Sequence, residues 1–433
     1  MPNRRQTLKL GGALLMALLE IPAYAAAQTS PIIRTLYDFA GNDGSEPVAA
    51  VVIGNGEVLY GTTYGGGTSG YGTVFSLTPP TSAGGAWTET VLHNFTGGSD
   101  GAGPEAPVVI GGGGVLYGTT HGGGTSGYGT VFSLTPPTSP GDAWTEAVLY
   151  SFAGGSDGAY PFAGVVAGKS GALYGTTYGR SDGGPLQSGT VFELVPSASP
   201  GGAWAETVLY NFTGGSDGGN PMGSLVIGRG TTGPPVFYGT TSQGGSGADP
   251  GNGTVFSLTP PASPGGAWTE TVLYEFLGMP SDGLWPQAGV VIGQGGVLYG
   301  TTLMGGTGSL LGNGTVFSLT PPASPGGSWT ETVLYSFTDL GGPNAAVVIA
   351  SSGVLYGTTI AGGTYGEGSV FSLTAPVSPG GAWTETLLHS FTGYKDGGEL
   401  FGSVVIGKGG VLYGTTYIGG TSWRNGTAFA LKP

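Results

Sequence analysis

The pentapeptide Leu-Tyr-Gly-Thr-Thr occurs six times in this chain, with its tyrosine at 60, 117, 174, 299, 356 and 413. A Phe-Tyr-Gly-Thr-Thr variant places Tyr238 between the third and fourth of these. Successive tyrosines are 57, 57, 64, 61, 57 and 57 residues apart, and the two long intervals carry insertions at 231–235 and in the loops near Asp249 and Leu310. Repetition at this period means one supersecondary unit used seven times, each copy burying its apolar faces against neighbours.

Each copy divides into four short segments rich in β-branched and aromatic residues and bounded by Gly, Pro, Asn or Asp, the composition of strands. In the fifth copy these are 288–293, 297–302, 314–319 and 329–337. A tight glycine turn joins the first two, as at 111–114, and Gly-rich loops such as 65–72 join the second and third. A Pro-stiffened Thr-Pro-Pro-Ala-Ser-Pro-Gly-Gly loop joins the last two, and Thr-Gly-Gly-Ser-Asp-Gly, as at 96–101, leads to the next copy. No segment holds a helical period over ten or more residues. Four antiparallel strands per copy, in sheets that need neighbours on both faces, predict a β-propeller. A β-solenoid is the rival, and the chain ends argue against it. Residues 35–39 are a fourth segment with nothing before it, and 426–431 are a third segment with no fourth after it. The expected fold is all-β: a seven-bladed β-propeller of four-stranded antiparallel blades over 28–433, closed by the N-terminal strand pairing into the last blade.

Composition agrees once placed on the repeat. The 433 residues include 93 glycines and 31 prolines, a share that without a period suggests disorder. Disorder also needs low hydrophobicity and high charge. Here 39 % of residues are hydrophobic and only 8 % charged, and the glycines fall between strands. The absence of cysteine excludes disulfides, thiol catalysis and cysteine metal sites. A net charge of −14 makes nucleic acid and anionic membrane surfaces poor partners.

Arg4, Arg5 and Lys9 precede an apolar run at 10–19, followed by Pro22 and the small residues of 23–27. This is the pattern of an export signal over residues 1–27, cleaved near Ala27. The Arg-Arg-Gln-Thr-Leu-Lys start resembles a twin-arginine signal, with Thr7 where that signal usually has Phe; an ordinary secretory signal is the alternative. The run is too short to span a bilayer well. The mature chain is expected to lack a transmembrane segment and to be periplasmic or extracellular.

The order of an apolar strand, a Leu-Tyr strand followed by a glycine pair, a Val-Phe strand and a strand opening with Trp resembles the kelch repeat. Leu-Tyr-Gly-Thr-Thr, Gly-Gly-Thr, Gly-Thr-Val-Phe and Phe-Thr-Gly-Gly-Ser-Asp-Gly more closely resemble the GloVer repeat, found in tandem in exported proteins of bacteria such as Verrucomicrobia and Gloeobacter. The resemblance covers nearly the whole mature chain. It implies export and a repeat fold, and it implies no activity.

Residues able to do chemistry are few. His93 and His389 stand where other copies place Tyr150, Tyr210, Tyr274 and Tyr335, so they read as strand positions. Glu recurs two residues after Trp, at 89, 146, 206, 270, 331 and 385. A glycosidase needs one close carboxylate pair, whereas six equivalent glutamates point to a role repeated in each blade. Asp43, Asp100, Asp157, Asp217, Asp282 and Asp396 each precede Gly, a turn signature. One carboxylate per loop falls short of the six or more oxygens that calcium takes. No catalytic triad, metal-binding histidine pair or phosphate-binding loop is present, so no catalytic residue, metal or cofactor is expected.

Copies differ most in the loops between second and third segments: 64–71, 121–128, 178–188, 242–252, 303–313, 360–367 and 417–425. In a four-stranded blade these open on the same face as the connections between copies, which add Tyr160, Trp285, Phe401 and other aromatics. Tyr64, His121, Tyr178, Trp285, Tyr365, Tyr417 and Trp423 are therefore the candidate ligand-binding residues, suited to stacking on sugars or gripping a peptide. The alternative is that they pack their own loops. The expected function is a secreted, monomeric, non-enzymatic binding module for an extracellular glycan or protein. The alternatives are a glycan hydrolase or lyase using Asp182, Asp249, Glu367 or Glu399, and a purely structural envelope protein.

Overall fold

The structure is a computed structural model describing residues 31–433 apart from 83, 140, 180–187, 200–201, 229–234, 246–250, 264, 308–312, 325, 339–340, 379 and 423. The leader expected at 1–27 lies outside the described residues, as do Asp182, Asp249 and Trp423. Seven four-stranded antiparallel sheets follow one another in a ring. Blade 1 runs outward in chain order through Val52–Ile53, Leu59–Thr63, Thr73–Thr78 and Thr88–Asn94. The outer strands of blades 2 to 6 are Thr145–Ser151, Ala205–Asn211, Thr269–Glu275, Thr330–Ser336 and Thr384–Ser390. Blade 7 contributes Val405–Ile406, Leu412–Thr416 and Thr427–Lys432, and takes Ile32–Asp38 as its outer strand. Ile32 pairs with Lys432 and Asp38 with Thr427, so the expected closure is present. No α-helix occurs among the described residues.

The innermost strands are shorter than the sequence suggests. The segment read as 288–293 forms a ladder only at Val291–Ile292. The residues before it leave the sheet and turn toward the axis. A second departure lies in every outer strand, where register slips opposite the Val-Phe pair of the third strand, as between Val74 and Phe75. Leu92 is the extra residue there. This β-bulge bends the strand and turns Leu92 toward the apolar cluster between blades 1 and 2.

The repeated motifs are explained at the seams between blades. Each of seven apolar clusters joins one blade to the next, the last joining blade 7 to blade 1 through Tyr413, Ala428, Phe39 and Phe75. At all seven seams the Phe after an outer strand meets the Val-Phe phenylalanine of the next blade edge to face, with centroids 5.0–5.2 Å apart. The pentapeptide glycine lies against that second ring: a Cβ on Gly118 would sit 2.5 Å from Phe132 Cζ. The first pentapeptide threonine donates to a carbonyl of the next blade in six cases, at 2.8–3.0 Å, and Thr415 to Ala49 carries this link across the closure. The seventh, Thr176, has its hydroxyl buried without a partner. The second threonine bonds the third strand of its own blade, as in Thr120 to Thr130 at 2.9 Å.

The Asp-Gly pairs are turns, as their sequence suggests. Asp157 accepts from the Ala153 amide at 2.6 Å, and Asp100 accepts from the Thr96 amide at 2.8 Å. Gly101 has φ +117°, and a Cβ there would meet Thr120 at 2.4 Å. The tyrosine of the preceding outer strand donates to the same aspartate, as in Tyr274 to Asp282 at 2.8 Å and Tyr210 to Asp217 at 3.0 Å. His389 reaches Asp396 at 3.1 Å and His93 lies 3.5 Å from Asp100, so both are strand positions facing the turn aspartate.

Candidate ligand-binding funnel

The connections between blades and the loops between second and third strands meet on one face. Short bridges stitch them together within a blade: Ser45 to Gly65, Ala102 to Gly122, Gly219 to Gln243 and Gly398 to Ile418. On this frame three rings of positions surround the axis, one residue per blade. The first follows the pentapeptide: Tyr64, His121, Tyr178, Ser242, Leu303, Ile360 and Tyr417. The second is Glu46, Gly103, Tyr160, Asn220, Trp285, Gly342 and Glu399. Its carbonyls accept from the amides of the first ring at 3.0–3.4 Å in all seven blades. The third lies two residues further on: Val48, Glu105, Phe162, Met222, Gln287, Asn344 and Phe401. All seven line a central cavity of about 640 Å³, together with Tyr64 and Tyr417. Below them the small residues Ala49, Ala106, Ala163, Gly223, Ala288, Ala345 and Gly402 narrow the throat.

The second ring is strained. Glu46, Tyr160, Asn220, Trp285 and Glu399 all hold φ between +54° and +59°. Left-handed backbone costs a non-glycine residue about 1–2 kcal/mol, and such residues cluster at functional sites. Gly103 shows that glycine also fits this position, with φ +60°. The frame holds the other side chains there at a cost in stability.

One side of the mouth is acidic and aromatic. Burial pushes Glu105 up to about 7. Its Oε1 lies 3.8 Å from His121 Nδ1, and burial lowers the His121 pKa from its ordinary value. His121 stacks on Tyr160 at 5.0 Å and leans on Phe162 at 4.6 Å. Tyr178 meets Phe162 edge to face at 5.1 Å, and Phe401 meets Tyr417 at 5.2 Å. Burial and then Glu105 and Glu46 raise the Tyr64 pKa. Burial and then Glu367 raise that of Glu399, whose amide donates to the Glu367 carbonyl at 2.8 Å. The far side, formed by blades 4 to 6, carries Asn220, Met222, Gln287, Leu303 and Asn344. Among the described residues no group of His, Asp and Glu is arranged to hold a metal ion. No helix among them is long and apolar enough to cross a membrane.

Of the sequence candidates, Tyr64, His121, Tyr178 and Tyr417 come together around blades 7, 1, 2 and 3. Trp285 stands across the mouth on blade 5. Of these only Tyr64 and Tyr417 line the cavity, while His121, Tyr178, Trp285 and the 61 % exposed Tyr365 do not. Glu46, Glu105 and Phe162 are absent from the sequence candidates. The signal for Glu105 and Phe162 was the third-ring column itself, which changes in every copy between a proline or leucine and a small residue.

Several solved structures show a distant likeness. An ulvan lyase of polysaccharide lyase family PL25, bound to -[GlcA(1-4)Rha3S]-, is 12 % identical, with a TM-score of 0.46 over 92 % of this chain and 93 % of its own. A protein of unknown function from Dyadobacter fermentans is 13 % identical, with a TM-score of 0.44 over 92 % of this chain and 98 % of its own. The sialidase of Trypanosoma rangeli is 11 % identical, with a TM-score of 0.41 over 78 % of this chain and 58 % of its own. No curated protein matches the sequence. The Gloeobacter/Verrucomicrobia repeat matches residues 24–245 and again 180–429. Those two stretches cover almost the whole propeller, and the chain belongs to the Gloeobacter/Verrucomicrobia repeat family.

Proposed function

We propose that this propeller is an exported, non-catalytic binding module whose ligand, a glycan chain, seats in the funnel of the variable loop face. One observation carries the reading. Three rings of positions differ from blade to blade on a frame of identical hydrogen bonds, and five residues of the second ring are kept at strained backbone. A scaffold that needed only to stand would use glycine at these left-handed positions, as it does at Gly103. Aromatic walls with scattered polar groups suit sugars, which present apolar ring faces and hydroxyl edges.

Replacing Tyr64 and Phe401 with Ala is expected to weaken oligosaccharide binding at least tenfold, about 1.4 kcal/mol or more, in a glycan-array and calorimetry comparison. Trp285→Gly is expected to leave the melting temperature equal or higher, since it relieves left-handed strain of about 1 kcal/mol. Undiminished glycan binding in the double alanine variant sinks the site. A marked loss of stability in Trp285→Gly sinks the strain reading.

A catalytic reading would use the Glu105–His121 pair, or Glu399 with the neighbouring Glu367. Release of shortened chains by the native protein, abolished by Glu105→Gln, would establish it instead.

A further inference from the structure

We propose that the wall across blades 1 to 3, formed by Tyr64, Glu105, His121 and Phe162, is a subsite for a positively charged amine carried on a sugar ring. The proposal rests on the funnel being a glycan site and names the chemistry of its ligand. Glu105 lines the cavity with its side chain 23 % exposed. Its carboxyl lies 3.8 Å from the His121 ring, too far for a hydrogen bond, and close enough to Tyr64 to act on it electrostatically. A ligand donor between the two would satisfy a carboxyl that otherwise faces an aromatic pocket. An ammonium group supplies that donor and the charge, and it is attracted to the aromatic faces of Tyr64 and Phe162.

Electrostatics disfavour the opposite ligand class. Glu46 and Glu399 act on Tyr417 at the mouth, opposed there by Arg424, and no Lys or Arg lines the cavity among the described residues. A uronic acid or sulfated sugar would be repelled. A neutral sugar can donate a hydroxyl to Glu105 but brings no charge to offset the burial of the carboxylate, so the amine holds the advantage. Access also fits a chain. Tyr64 and His121 together line a second groove of about 440 Å³ that includes Tyr71, Glu46 and Gly103. Tyr64 borders both spaces, so a linear oligosaccharide that passes over it would reach from the groove to Glu105. The groups facing Glu105 are His121 and Tyr64, with Glu46 beyond Tyr64.

The test is calorimetric titration with three tetramers: β-1,4-glucosamine with free amines, its fully N-acetylated form, and the glucose equivalent, at about pH 7, where a Glu105 carboxyl pushed up to about 7 is part ionised. The free-amine tetramer is expected to bind at least tenfold more tightly than the other two. Glu105→Gln is expected to abolish that preference, bringing the free-amine tetramer to within about twofold of the two neutral ones, a difference below 0.5 kcal/mol. Glu105→Asp should keep part of the preference, and Glu270→Gln, on the outer strand of blade 4, should keep all of it. A thermal melt of each variant separates loss of the site from loss of the fold. Neutral tetramers that bind with no advantage for the amine overturn the subsite and leave the funnel reading standing. A preference that survives Glu105→Gln also overturns the subsite. Failure of all three tetramers overturns both.

Discussion

A chain that begins at residue 40 is expected not to form a stable propeller. It lacks the strand Ile32–Asp38, so the third strand of blade 7, Thr427–Lys432, becomes an open edge. It also lacks Phe39, which is fully buried, meets Phe75 at 5.0 Å and donates its amide to the Gly426 carbonyl at 3.1 Å. Truncating one core phenylalanine costs about 3–5 kcal/mol. The lost strand adds its ladder and the Tyr37 bond to Asp43. Together these rival the 5–15 kcal/mol that holds a typical domain folded. The exposed edge also favours aggregation. Moving residues 31–39 to follow Pro433 restores the same strand from the other terminus and is expected to restore a cooperative melt. Phe39→Ala alone should lower stability by about 3–5 kcal/mol in denaturant titration. A truncated chain that melts like the full one would show that the ring is not closed through this strand.

The protein is also expected to melt at a higher temperature near about pH 5.5 than near about pH 8. The cause is repeated at five seams. Glu89, Glu146, Glu206, Glu270 and Glu331 are half-buried in outer strands, and each has an Oε1 without a hydrogen-bond partner. Burial first, and then the turn aspartate of the same seam, pushes each of them up to about 7. Such a group is protonated in both states below about pH 4.5, so it costs nothing there. Between about 4.5 and 7 the unfolded chain sheds its proton first, and stability falls until the folded carboxyl also ionises. Glu105 acts in the same direction. His93 and His121 oppose it, because burial depresses both and acid favours their unfolded, charged forms. Six carboxyls outweigh two imidazoles across this window. The seam glutamates keep part of their solvent contact, so each is worth about 1 kcal/mol rather than the full linkage value. Glu331→Gln is expected to stabilise by about that amount at the higher pH and to change little at the lower. A Gln variant that melts lower at both values would mean that the carboxylate is satisfied in the folded state.

The propeller was legible because the repeat is written into the chain in units that cannot stand alone. The unpaired half-blades at 35–39 and 426–431 told how the ring closes. The bulge at Leu92 was not legible, since an extra residue destroys the two-residue alternation by which a strand is read. The short inner strand was hidden for a related reason. Residues such as 288–290 look like strand, but three of them serve as the lining and throat of the funnel. The seam glutamates were readable as a feature of every blade, yet their burial beside a neighbouring blade's aspartate is a tertiary fact. At the candidate site, loop variation pointed to the face on which Tyr64, His121 and Tyr417 lie. It passed over Glu105 and Phe162, because they precede a strand whose other residues barely change. Aligning the seven copies by column, rather than by loop, would have exposed that ring.

The structure of the chain from residue 28 onward with a bound oligosaccharide decides whether the variable funnel is the working site. The expected result is a sugar ring against Tyr64 or Phe401 at the mouth of the central cavity, with the chain extending toward the groove beside Tyr71. A ligand seated instead on the outer strands, or on the opposite face among the glycine turns that join first and second strands, would contradict it.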